Sequence, residues 1–193
     1  MTETGTTSFD TLVDSPTVRR DANGLRPHIF LITVLLVLAA DQVSKAWMVR
    51  SMYLNDTRPI FGQAFRLTLT HNTGGAWGYL PRGNGVFTVF AAVAIVALVL
   101  AYQRVGRQDL QVGAAFALAM GGAAGNLLDR IRLGYVVDFF DARIIHWPVF
   151  NIADSAITVS ILLLVWHFLR PRDVAYQGMS AADVSAAHPD SQV

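Results

Sequence analysis

Apolar residues along this chain gather into four long runs, at about 28–49, 85–103, 110–131 and 149–169, and between them Gly, Pro and charged residues return. Each run approaches or exceeds the roughly 20 helical residues needed to cross a hydrocarbon core about 30 Å thick, so the pattern predicts four transmembrane helices. Helix-breaking residues set the limits. Pro27 precedes the first run, Pro81 and Gly83 the second, Trp147-Pro148 opens the fourth, and Arg170-Pro171 closes it. The first run follows Arg19, Arg20 and Arg26 and could pass for a secretory leader. However, Leu38-Ala39-Ala40 is a poor small-x-small cleavage site and the run continues through A-W-M-V, which favours an uncleaved anchor.

Between the first two runs, F-R-L-T-L-T (65–70) alternates, placing Phe65, Leu67 and Leu69 on one face of a strand that would suit the bilayer surface. Residues 1–25 and 173–193 are polar, rich in Thr, Ser, Asp and Ala, and lack periodicity; both read as disordered tails around a single domain at 26–172. Composition agrees with a membrane class: 53% of the 193 residues are hydrophobic and 15% charged, with a mean hydropathy of +0.40. The expected fold is therefore an all-α membrane protein of four transmembrane helices with a small amphipathic β element between helices 1 and 2. No internal repeat is visible. A net charge of +1 argues for neither nucleic acid nor an acidic partner. The absence of cysteine removes disulfides, thiolate metal sites and a Cys nucleophile.

With four spans, helix parity puts the end of span one, the start of span two, the end of span three and the start of span four on one side. That side then holds Asp41, Lys45, Asn72, Asn126, Asp129, Arg130, Asp138, Asp141, Asn151 and Asp154, while the other carries Y-Q-R-V-G-R-Q-D-L and the tails. Direction does not follow from charge, because seven of the fifteen Lys and Arg fall on the tail side and eight on the polar side.

A carboxylate in a span costs roughly 2.5–3.5 kcal/mol at the helix centre, which makes Asp154 a functional-site hypothesis. Simpler readings stand beside it. Asp41 and Lys45 are spaced i,i+4 and suit an ion pair. G-G-A-A-G (121–125) has the small-xxx-small spacing of a close helix contact, and would fix Asn126 and Arg130, also i,i+4, on one face. Asn151, Asp154 and Thr158 share a face, and a capping or interhelical role suits one of them. The five histidines have no metal-ligand spacing, and Ser155 beside Asp154 lacks a base with triad logic. What remains is a pair of carboxylates sharing one proton, one acting as base on water while the other donates to a carbonyl. Asp138, Asp141 and Asp154 are the candidates, and spacing does not choose among them.

D-Q-V-S-K (41–45), N-T-G-G-A-W (72–77), G-G-A-A-G-N-L-L-D-R (121–130), V-V-D-F (136–139) and F-N-I-A-D-S-A-I (150–157), in this order, resemble lipoprotein signal peptidase, or signal peptidase II. The one departure, Gly75-Ala76-Trp77 where the family commonly has smaller residues or Phe, leaves the expected activity in place. The resemblance implies a cofactor-independent aspartic endopeptidase of the bacterial cytoplasmic membrane. Such an enzyme removes signal peptides from diacylglyceryl-modified prolipoproteins, cutting just before the lipidated cysteine. It implies Asp138 and Asp154 as the catalytic pair. Asn72, Asn126, Arg130 and Asn151 then contact substrate or globomycin-type peptide antibiotics. Asp41, Lys45, Gly74 and Gly122 fill structural motif positions, with no metal ligand among these residues. It also implies that the polar side, β element included, is extracytoplasmic and both tails cytoplasmic. A proton-coupled carrier is the rival from another class, but carrier sites lie near the midplane in repeat-related broken helices.

Overall fold

The computed structural model describes residues 24–62, 64–74, 83–145 and 147–170. Both tails, and Gly75-Ala76-Trp77 of the second motif, lie outside the described residues, apart from Gly24 and Leu25. Among the described residues, four helices are long and apolar enough to cross a membrane: α1 (Pro27–Ser51), α2 (Asn84–Ala101, prolonged by a π-helical turn at Tyr102–Gly106), α3 (Leu110–Leu133) and α4 (Ile152–Leu169). Three strands, β1 (Thr57–Phe61), β2 (Phe65–Asn72) and β3 (Val136–Asp141), form one antiparallel sheet in the order β1-β2-β3.

Apolar side chains cover the outside of the helices, and the interior mixes apolar with charged residues. On α1 the residues facing the protein are Phe30, Val34, Asp41, Lys45 and Met48, a stripe at helical spacing that begins apolar and turns charged. Ile29, Leu31, Ile32, Leu35 and Leu36 point outward. Between Asn84 and Ala101 helix α2 has no buried residue, and it rests mainly on α3. Helix α3 is central, packing on α1, α2 and α4. Six of its ten buried residues are accordingly small: Gly113, Ala115, Ala117, Gly121, Gly122 and Gly125. Between apolar helices in lipid, association depends on close packing rather than on water exclusion, and small side chains allow it. A Cβ on Gly122 would overlap the carbonyl oxygen of Ala153 in α4. At the tail end, Phe30 stacks on Tyr102 at 3.8 Å, and the Tyr102 hydroxyl donates to the Leu25 carbonyl at 2.8 Å.

Strand β2 contains the expected 65–70 segment, and Leu67 and Leu69 pack with Met48 of α1, with Met52 just after that helix, and with Val137 and Phe139 of β3. The sheet is larger than a single element between helices 1 and 2, because β3 joins from the connection between helices 3 and 4. V-V-D-F-F-D is a β-branched and aromatic run that pairs with β2, aligning Thr70 with Asp138 and Asn72 with Val136. Helix α3 ends at Gly134, whose positive φ of 80° turns the chain into β3. Helix α4 begins at 152 rather than 149, since Phe150 still pairs with Phe140 and Asn151 is the N-cap.

Candidate active site

The site is built from the inner end of the α1 stripe. Lys45 Nζ lies 2.8 Å from Asp41 Oδ2 and 2.9 Å from Asp129 Oδ2 on α3, and donates to Asn126 Oδ1 at 3.0 Å. An ammonium carries three protons, and here three oxygens receive them. Each carboxylate has a further task. Asp41 Oδ1 accepts the Ala153 N–H at 3.0 Å, holding the first turn of α4; Asp129 Oδ2 accepts the Val137 N–H at 3.1 Å, holding β3. Gln42 donates to Asp129 Oδ1 at 3.0 Å and to the Gly125 carbonyl at 3.3 Å. One buried cation thus ties α1 to α3, and through its carboxylates to α4 and β3. The sequence suggested the Asp41–Lys45 pair; the contribution of Asp129 crosses between helices and had no local signal.

Beside this hub, two amides bridge two acids. Asn126 Nδ2 donates to Asp154 Oδ1 at 2.8 Å. Asn151 Nδ2 reaches Asn126 Oδ1 at 3.0 Å and Asp138 Oδ1 at 2.7 Å. Asn151 and Asp154 also form a capping box: Asn151 Oδ1 accepts the Asp154 N–H at 2.9 Å, and Asp154 Oδ2 accepts the Asn151 N–H at 3.2 Å. This box explains how an acid comes to stand at the mouth of an apolar helix. It supplies two otherwise orphaned backbone donors with acceptors and holds Asp154 at the cavity that Asp138 also lines. From β2, Asn72 Nδ2 donates to Asp138 Oδ2 at 2.9 Å, while Asn72 Oδ1 accepts the Gly74 N–H at 3.1 Å.

Asp138 is buried, and its carboxyl is pushed up to about 7 by that burial first and by the neighbouring Asp154 charge second. Hydrogen bonds from Asn72 and Asn151 and the charge of Lys45 oppose the rise without cancelling it. Asp141, three residues on, belongs to a different environment. Its Oδ2 meets Arg66 at 2.8 Å, Arg143 at 3.1 Å and Thr68 at 3.0 Å. Burial alone would raise it, but these partners together leave it below the ordinary value.

A cavity of about 210 Å³ opens over the two acids, lined by Asn72, Asn126, Arg130, Asp138 and Asp154. Trp147 to Phe150 form one wall, and Ile157 and Thr158 carry it down α4. Arg130 stands over the Phe87 ring of α2, 5.7 Å from its centroid, and donates to the Asn126 carbonyl at 3.3 Å. Of the ten residues singled out in the sequence, five line the cavity. Asn151 is instead completely buried behind it, its amide consumed by Asp138, Asn126 and Asp154. Asp41, Lys45 and Gly122 lie in the supporting layer, and Gly74 orients Asn72. The Trp147–Phe150 wall escaped sequence reasoning, although N-x-x-D at 151–154 is a capping pattern that would have freed those residues from the helix.

A family model described as Signal peptidase (SPase) II matches residues 33–170. The chain belongs to the signal peptidase II family. The peptidase is similar to the lipoprotein signal peptidase of Moorella thermoacetica, at 43% identity over 74% of this chain and 93% of that one. It is also 43% identical to the lipoprotein signal peptidase of Pseudomonas fluorescens, over 74% of this chain and 88% of the relative. Among solved structures, a bacterial membrane enzyme determined by the in meso method superposes with a TM-score of 0.74 at 27% identity, covering 82% of this chain and 98% of that one. The peptidase is thus a multi-pass membrane protein whose fold is shared with a solved bacterial membrane enzyme.

Proposed function

We propose that this signal peptidase II, which removes signal peptides from prolipoproteins, is an aspartic endopeptidase that cuts just before a diacylglyceryl-modified cysteine, with Asp138 and Asp154 as its catalytic pair. The observation that carries the reading is the amide-bridged pair of acids, drawn from β3 and α4, lining one cavity at the polar end of four apolar helices. Two carboxylates so placed retain one proton near neutrality. The ionised member takes a proton from water, whose oxygen attacks the scissile carbonyl carbon. The protonated member gives its proton to the carbonyl oxygen. Collapse of the resulting gem-diol returns a proton to the leaving nitrogen as the C–N bond breaks, freeing the amine of the lipidated cysteine. No cofactor enters this balance.

Asn72, Asn126 and Arg130 are the cavity groups for the substrate backbone, and for globomycin-type antibiotics as inhibitors; Asn151 acts through the acids it holds. The substrate's lipid stays in the leaflet while the peptide bond reaches the cavity along Ile157 and Thr158. Each buried CH₂ is worth about 0.8 kcal/mol, for which bilayer and enzyme compete. Incubating the purified protein with a lipidated prolipoprotein and with its unlipidated precursor tests this. Cleavage of only the former is expected, and equal cleavage of both would overturn the lipid requirement.

The enzyme sits in the bacterial cytoplasmic membrane with its site on the extracytoplasmic side and both tails in the cytoplasm. Because the chain has no cysteine, single variants report orientation without background. In intact cells an impermeant thiol reagent is expected to label Ser51→Cys and to miss Arg107→Cys until the membrane is opened. The reverse pattern would invert the topology.

A further inference from the structure

We propose that Lys45 is a positioning residue for peptide cleavage: from behind the cavity it sets the direction of the amide bridge between Asp138 and Asp154 and holds that pair in its working charge state. The inference rests on the reading of these two acids as the reacting pair. Lys45 is 3% exposed and does not line the cavity, so any effect on chemistry passes through its neighbours. An ammonium only donates, so the Asn126 side chain must turn its oxygen toward Lys45 and its NH₂ toward Asp154. Asn126 Oδ1 then also receives Asn151 Nδ2, which fixes the second amide and delivers an N–H to Asp138. One donor-only group therefore orients two amides, and each acid receives one of their N–H groups.

Charge follows the same geometry. Around the pair, α1 contributes Asp41 and Lys45, α3 contributes Asp129 and Arg130, β3 contributes Asp138 and α4 contributes Asp154. From β2 come neutral Asn72 and His71, the latter stacked on Tyr135 at 3.8 Å. Asp141 is occupied by Arg66 and Arg143 on the same sheet. Four carboxylates thus share two cations, and one retained proton limits the excess negative charge. The Lys45 charge favours the ionised form of Asp138 against burial and Asp154. Without that charge, Asp138 keeps its proton to higher pH.

The test is kcat/KM against pH for the full-length enzyme on a lipidated precursor. Lys45→Met should move the alkaline limb upward by about one pH unit or more, the scale of a neighbouring charge. Asp41→Asn removes a like charge yet retains an oxygen for the Ala153 N–H, and should move the limb downward; Asp129→Asn should do the same. Lys45→Arg, which keeps the charge, should leave the limb near its wild-type position even where kcat falls. A purely structural role would lower melting temperatures without displacing the limb, and a fixed limb in all four variants overturns the proposal. If Lys45→Met does not fold, Asp41→Asn decides alone: a limb that stays or rises overturns it. Asp138→Asn in the same assay separates the two readings. Normal cleavage there sinks the catalytic pair itself, whereas an inactive Asp138→Asn beside unmoved limbs sinks only the role of Lys45.

Discussion

Asp138→Asn and Asp154→Asn are each expected to lower turnover of a lipidated precursor by about 10²–10⁴-fold, the range of a lost general acid or base. An amide nearly matches the carboxylate in shape but can neither take a proton from water nor hold one for the carbonyl oxygen. If the acids work as a unit, the double variant should be scarcely worse than either single one, because residues acting together are strongly non-additive. The geometry sets a condition on this experiment. Both oxygens of Asp138 accept amide N–H groups, from Asn151 at 2.7 Å and from Asn72 at 2.9 Å. An Asn there must turn its NH₂ against one of those donors, so folding has to be checked by melting or by antibiotic binding. Asp141→Asn is the control. Its partners Arg66, Thr68 and Arg143 hold the sheet rather than the cavity, and turnover should survive with some loss of stability. Loss of activity in folded Asp141→Asn with near-normal rates in Asp138→Asn would show that the pair has been misassigned.

The helices could be read from the chain because lipid imposes one requirement on all of them, about 20 apolar residues in sequence, and little else resembles it. The gathering of Asn126, Asp129, Asp138, Asn151 and Asp154 followed from parity. Strand β3 was harder. V-V-D-F-F-D is six residues long, and its partner β2 lies more than sixty residues earlier in the chain, so no local period marks the pairing that sets Thr70 beside Asp138. The offset at the start of α4 has a similar cause. W-P-V-F is apolar enough to continue the helix, but Phe150 exchanges backbone hydrogen bonds with Phe140. The helix must therefore wait for its cap at Asn151. Motif resemblance pointed to Asp138 over Asp141. The surroundings of the two acids distinguish them in physical terms: one is buried beside another acid, and the other is surrounded by cations.

The glycine contact between α3 and α4 should be the most sensitive structural point away from the acids. A Cβ at position 122 would overlap the Ala153 carbonyl oxygen and approach Ile157 Cγ1 to 2.9 Å. The first obstacle is backbone, in the opening turn of α4, one residue before Asp154. It cannot swing aside as a side chain would. Relief must come from α4 moving away, which pulls on the Ala153 N–H held by Asp41 at 3.0 Å and on the Asn126–Asp154 bond at 2.8 Å. Gly122→Ala is therefore expected to cost about 1–3 kcal/mol, the usual range for an overpacked interior. It should also lower kcat more than stability alone accounts for, since the displaced element carries Asp154, one of the two acids proposed to react. Gly85→Ala is the matched comparison. It is also helical, in the first turn of α2, but nothing lies within 4 Å of the added carbon, and Ala is the better helix former, by up to about 1 kcal/mol in a helix interior and by less at a helix end. Melting temperature and single-turnover cleavage of the two variants should thus move in opposite directions for stability, with activity lost only at position 122. Equal behaviour of the two would mean that the α3–α4 contact does not position Asp154.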